Sequence, residues 1–239
     1  MARSELRAIF LCGTLAAVLP CALQAQNFYL GAGEPMKSLL GERLRFDWKI
    51  VLVTVVSTTV VLADYYIKLT PNEGWDKTLY FLLLPLLVIL FIFREDPREY
   101  GFTLGDWRAG LMITLLAILL IAPVLWWAGR GAPMSTFYAA DLGGLPWNTF
   151  LDLLGWEFLF RGWLTFAYVR KFGPEGLWLQ AVPFAVAHLT KPAVETLSTI
   201  FGGFAFGWVA WRTRSFLYPF LIHWFVASFT ILVAAGRLG

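Results

Sequence analysis

The chain has 239 residues, of which 59% are hydrophobic, 17% aromatic and 15% charged, with a mean hydropathy of +0.66. An ordinary soluble domain carries about 25% charged and about 45–50% apolar residues, so this composition excludes a disordered chain, a secreted disulfide scaffold and a soluble nucleic-acid binder. The net charge of +3 implies no nucleic-acid partner, because the basic residues sort by membrane topology instead. Cys12 and Cys21 are the only cysteines, which leaves no zinc-finger spacing and no disulfide framework. The expectation is an all-α, polytopic transmembrane helical bundle in a lipid bilayer.

Residues 1–35 pair basic Arg3 and Arg7 with the apolar stretch IFLCGTLAAVLPCALQA. That pattern reads as a signal-like extension or an eighth span, with Met36 as an alternative start. Residues 36–239 read as one integral membrane domain. A span needs about 20 mostly apolar residues, and seven are expected: 48–66, 78–94, 109–128, 147–169, 175–190, 195–211 and 216–235. The fifth is short and carries Pro183.

Loop charges set the expected orientation. Lys37, Arg43, Arg45, Lys49, Arg94, Arg98, Arg108, Arg170, Lys171, Arg212 and Arg214 fall on one side, against Lys68, Lys77, Arg130, Lys191 and Arg237 on the other. This bias places the N-terminus of the 36–239 domain in the cytoplasm and the C-terminus outside a multi-pass cell membrane. A bacterial inner membrane is the expected setting.

Ionisable groups inside spans cost about 2.5–3.5 kcal/mol each on insertion scales and mark function by default. They concentrate in the C-terminal half: Asp152, Glu157 and Arg161 in span four, His188 in span five, Glu195 at the start of span six and His223 in span seven. Glu157 and Arg161 stand at i and i+4, so they share a helix face and can pair, as a purely structural pair or as part of a site. Two His and two Glu on adjacent helices can activate water, one imidazole stabilising an oxyanion. They can also bind a metal, zinc being the ordinary choice for His and Glu. Gly203 and Gly207 form a G-x-x-x-G, which suits close helix packing.

These residues resemble the CAAX prenyl protease family, also called the Abi or CPBP intramembrane proteases. The family carries E-E-x-x-x-R, F-x-x-x-H and H-x-x-x-N on successive helices. Here they read Trp156-Glu157-Phe158-Leu159-Phe160-Arg161, Phe184-Ala185-Val186-Ala187-His188 and His223-Trp224-Phe225-Val226-Ala227, within a core at about 145–235. The resemblance implies an intramembrane endopeptidase of glutamic or metallo type acting on a membrane-associated peptide or protein. It implies Glu157, His188 and His223 as catalytic residues, with Arg161 and Phe184 in support. No cofactor is required; a divalent metal such as zinc would use the same Glu157, His188 and His223. Two positions depart from the pattern. The family's water-activating first Glu is Trp156, and its oxyanion-binding Asn is Ala227, with Ser228 next to it. Glu195, seven residues after His188 across the Lys191-Pro192 turn, is expected to join the site and replace the missing carboxylate. The alternative is an inactive relative acting as a membrane scaffold or immunity protein. A transporter reading, with Asp152, Glu157 and His223 as a proton path, would call for discontinuous helices in matched halves, and the polar residues lie in one half only.

Counting about 1.5 Å per residue from the outer ends, Glu157 should lie about 14 Å deep, His188 and Glu195 within about 5 Å, and His223 about 18 Å deep. The four are expected to line a cavity opening outward. Such an orientation suits a substrate in the membrane or periplasm better than a prenylated protein presented from the cytosol.

Overall fold

The first three long helices open on short polar residues placed ahead of apolar runs, which satisfy orphan backbone N–H groups. A computed structural model describes residues 45–238, so the 1–35 extension lies outside the described residues. Asp47 accepts from the N–H groups of Lys49 and Ile50 and opens α1 (Trp48–Tyr66). Asn72 caps α2 (Glu73–Phe93) and Asp106 caps α3 (Trp107–Gly129) in the same way. A short α4 (Ala132–Tyr138) follows. Then comes α5, continuous over 147–172 and built from an α-segment Trp147–Glu157, a π-segment Phe158–Leu164 and an α-segment Thr165–Phe172. The chain closes with α6 (Gly176–Val186), α7 (Ala193–Thr213) and α8 (Leu217–Ala234). Among the described residues 82% are helical and none is in a strand.

Five helices are long and apolar enough to cross a membrane: α1, α2, α3, α7 and α8. The other two expected spans are helical but differ in kind. α6 has 11 residues, about 16 Å of rise against a hydrocarbon core of about 30 Å. α5 is the core of the bundle rather than a lipid-facing helix: every residue from Glu157 to Tyr168 is buried. Trp163 is fully buried, stacked against Phe93 and Tyr100 with centroids at 5.4 and 5.7 Å, and donates its Nε1–H to Ser57 Oγ at 2.9 Å. A helix apolar on all sides is a buried one, and hydropathy alone does not tell protein interior from lipid.

Ion pairs gather at the two ends of the helices. At one end Lys49 pairs with Glu95, Arg170 with Glu99, Lys171 with Asp47 and Arg212 with Asp106. At the other Lys68 pairs with Asp64 and Glu73, and Lys77 with Asp152 at 3.1 Å. Glu95 is partly buried, which raises its pKa, but Lys49, the Tyr100 hydroxyl and Arg170 outweigh burial and hold it below its ordinary value. Close approach of α5 to α2 depends on Gly155, where a Cβ would overlap the carbonyl of Lys77.

Candidate active site

The π-segment of α5 begins one residue after Glu157 and contains Arg161. Wide turns of this kind recur at functional sites because they re-aim side chains within a helix. Glu157 and Arg161 are both fully buried, with Oε2 and Nε 3.3 Å apart. The alignment is that of an ion pair and not of a hydrogen bond, and the remaining guanidinium nitrogens, Nη1 and Nη2, also have no hydrogen-bond partner among the described residues. Aromatic faces surround the cation instead: its Cζ lies 3.8 Å from the Phe184 ring centre, 5.2 Å from Phe206 and 5.8 Å from Phe160. Desolvated cation–π contacts of this kind are worth about 2 kcal/mol or more.

The second carboxylate oxygen of Glu157 reaches across the bundle to α8, where Oε1 lies 2.6 Å from His223 Nδ1. The His223 side chain is 14% exposed and Glu157 not at all. A carboxylate at Nδ1 fixes the neutral tautomer with its proton there and leaves Nε2 with a lone pair.

His188 follows the C-terminus of α6 and is 5% exposed. Its Nδ1 lies 2.7 Å from the Phe184 carbonyl oxygen. A carbonyl only accepts, so Nδ1 donates and Nε2 is again the free acceptor. Phe184 therefore stands at the centre of the cluster, with ring centroids 4.4 Å from His188, 6.1 Å from His223 and 6.2 Å from Trp156. Gly203 and Gly207 lie on the α7 face toward α6. A Cβ at Gly203 would sit 3.0 Å from Ala181 Cβ, and one at Gly207 2.5 Å from Gln180 Nε2. The buried Gln180 amide in turn donates to the Gly203 carbonyl at 2.7 Å.

Glu195 does not join this cluster through its carboxylate. Its Oε2 accepts from the Tyr138 hydroxyl at 2.5 Å, and Lys191 Nζ lies 4.9 Å from the Tyr138 ring centre. Burial and the neighbouring Glu195 charge push the Tyr138 phenol above its ordinary pKa, so it stays a donor. The reason is chain reversal. The 188–192 turn ends α6, so Glu195 faces α4 from the first turn of α7, while His188 turns back to Phe184. Thr196 Oγ1, donating to the His188 carbonyl at 2.6 Å, pins that reversal. A cleft beside the 188–192 turn runs along Pro133, Phe137, Thr190 and Lys191, and Glu157 and Arg161 are sealed from solvent.

Among the described residues no group of three or more His, Cys, Asp or Glu is placed to hold a metal ion. Glu157 and His223 come together, while His188 Nδ1 donates to the Phe184 carbonyl. Sequence reasoning did not identify Phe206, Phe160 or Tyr138, which are apolar or aromatic side chains in runs of similar ones and carry no local signal. At the first departure from the motif pattern, Trp156 Nε1 is buried without a hydrogen-bond partner among the described residues, and so is Ser228 Oγ, next to the second departure at Ala227.

Residues 138–229 match the model of a family described as type II CAAX prenyl endopeptidase, Rce1-like. No curated protein and no solved structure matches the chain.

Proposed function

From the match of residues 138–229 to the CAAX prenyl endopeptidase family, we propose that this chain is an intramembrane endopeptidase of that family working through a Glu157–His223 pair. The observation that carries this reading is the 2.6 Å contact between a fully buried carboxylate and a partly accessible imidazole. Glu157 orients His223 and stabilises its charged form, as carboxylates do in imidazole-based hydrolases. His223 Nε2 takes a proton from water while the water oxygen bonds to the peptide carbonyl carbon. His188 Nε2 accepts the second water hydrogen and aims the lone pair. The C–N bond then breaks, and His223 returns its proton to the leaving amine. Arg161 lies against the Glu157 carboxylate as its buried counter-charge. The substrate is a peptide presented at the membrane, and the family description makes a prenylated cysteine near its C-terminus the first candidate.

The proposed topology keeps seven membrane segments, α5 and α6 included, with residues 45–49 cytoplasmic and the C-terminus outside. Support comes from the sorting of ion pairs to opposite helix ends described above. Reporter fusions after residues 72, 132 and 237 should read outside and those after 100, 172 and 214 inside; the inverse pattern refutes the orientation.

Activity is tested with purified protein in liposomes and two quenched fluorogenic peptides, one with a prenylated cysteine and one unmodified. Wild type should cleave at least one, and Glu157→Gln and His223→Ala should each lose about 10²–10⁴-fold, the range of a positioned acid–base group. Cleavage of neither peptide by wild type removes the protease reading and favours the scaffold, whereas equal cleavage by wild type and both variants removes Glu157 and His223 from the chemistry.

A further inference from the structure

Trp156 precedes Glu157 and is half-buried against the core. Its ring centroid lies 5.1 Å from Phe160, 5.5 Å from Phe81 and 5.6 Å from His188, which meets it edge-on at 75°. Its Nε1–H is buried and has no acceptor among the described residues. A buried donor left unmade costs stability. Phenylalanine at 156 would keep an aromatic ring there and carry no such cost, so packing does not account for the indole N–H.

We infer that the Trp156 indole N–H is the donor that holds the carbonyl oxygen of the scissile peptide bond. Indole nitrogen donates and never accepts, so it cannot serve as base; its use lies where negative charge develops. The ring touches His188, whose free Nε2 holds the water in the reading above, so attacking oxygen and carbonyl oxygen would sit on neighbouring groups. The neighbouring cation is otherwise engaged: Arg161 pairs with the Glu157 carboxylate and lies against the rings of Phe184, Phe206 and Phe160, whereas Trp156 Nε1 has no acceptor among the described residues.

This inference rests on the protease reading, and its test separates the two. Trp156→Phe and a second variant carrying 3-benzothienylalanine at 156, where sulfur replaces N–H at nearly unchanged shape, are assayed in liposomes with the two fluorogenic peptides. Melting is followed in parallel. The expected result is a fall in kcat of about 10²–10³-fold, the effect of deleting one oxyanion donor, with KM changed little and melting unchanged or raised. Wild-type kcat in both variants overturns the inference and leaves the protease reading standing. A kcat loss that merely follows a loss of folded protein in both variants overturns it as well, assigning Trp156 to packing. No cleavage by wild type itself refutes the protease reading, and the inference falls with it.

Discussion

Removing the Arg161 guanidinium should expose how tightly the buried pair is coupled. Arg161 and Glu157 are both fully buried, and the only cation within pairing distance of Glu157 Oε2 among the described residues is Arg161 Nε at 3.3 Å. Breaking a buried pair by deleting one partner costs about 3–5 kcal/mol. Arg161→Ala also removes the stacking on Phe184 at 3.8 Å, worth about 2 kcal/mol, so a total loss of about 5–7 kcal/mol is expected. Arg161→Met fills most of the volume and should lose about 3 kcal/mol, the charge cost alone. Glu157→Gln strands the guanidinium and should cost a similar amount. The double variant Arg161→Met/Glu157→Gln strands no charge, and exchanging a buried pair for uncharged groups of similar volume is often neutral. It should therefore melt within about 1 kcal/mol of wild type, giving a coupling energy of several kcal/mol in a double-mutant cycle. Unfolding of the purified protein by denaturing detergent, followed through near-ultraviolet dichroism of its aromatic groups, supplies the four values. Additive losses, or an Arg161→Ala loss below about 1 kcal/mol, would refute the argument that the pair is desolvated and mutually dependent.

Glu195→Gln should leave turnover within about threefold of wild type, since that carboxylate serves Tyr138 and not the Glu157 cluster; a loss above about 100-fold in the fluorogenic assay would return Glu195 to the chemistry. Gly155→Ala should destabilise by about 1–3 kcal/mol through overlap with the Lys77 carbonyl, as overpacking does, whereas Gly202→Ala, with nothing within 4 Å of its new Cβ, should be neutral or stabilising by up to about 1 kcal/mol; equal melting of the two variants would refute this reading of the α5–α2 contact. Glu95 has a pKa held below its ordinary 4.5, so its contribution to stability is present above that value and lost as pH falls through the lowered folded value. Melting measured from pH 6 down to pH 3 should show an acid limb in wild type that Glu95→Gln flattens, and an identical limb in both would remove Glu95 from the acid response.

What was legible in the sequence was whatever depends on local geometry or summed transfer free energy. Hydropathy located all five long apolar helices to within a few residues, because lipid and protein interior both reward apolar side chains. The i, i+4 spacing placed Glu157 beside Arg161, since helix geometry alone sets that separation. The order of the three short motifs pointed, without any three-dimensional information, to the family whose model matches residues 138–229. Choice of partner across helices was not legible. Sixty-six residues separate His223 from Glu157, and only the packing of α8 onto α5 makes Nδ1 and Oε1 neighbours. The same limit applies to Glu195. Sequence distance brought it close to His188, but the reversal at 188–192 and the position of α4 decided that Tyr138 would receive it. Burial of residues 157–168 of α5 on all sides, and the eleven-residue length of α6, also belong to the tertiary structure. A hydropathy profile sums apolar content along one chain, whereas burial depends on which neighbours surround it, and no periodicity in 147–172 records that.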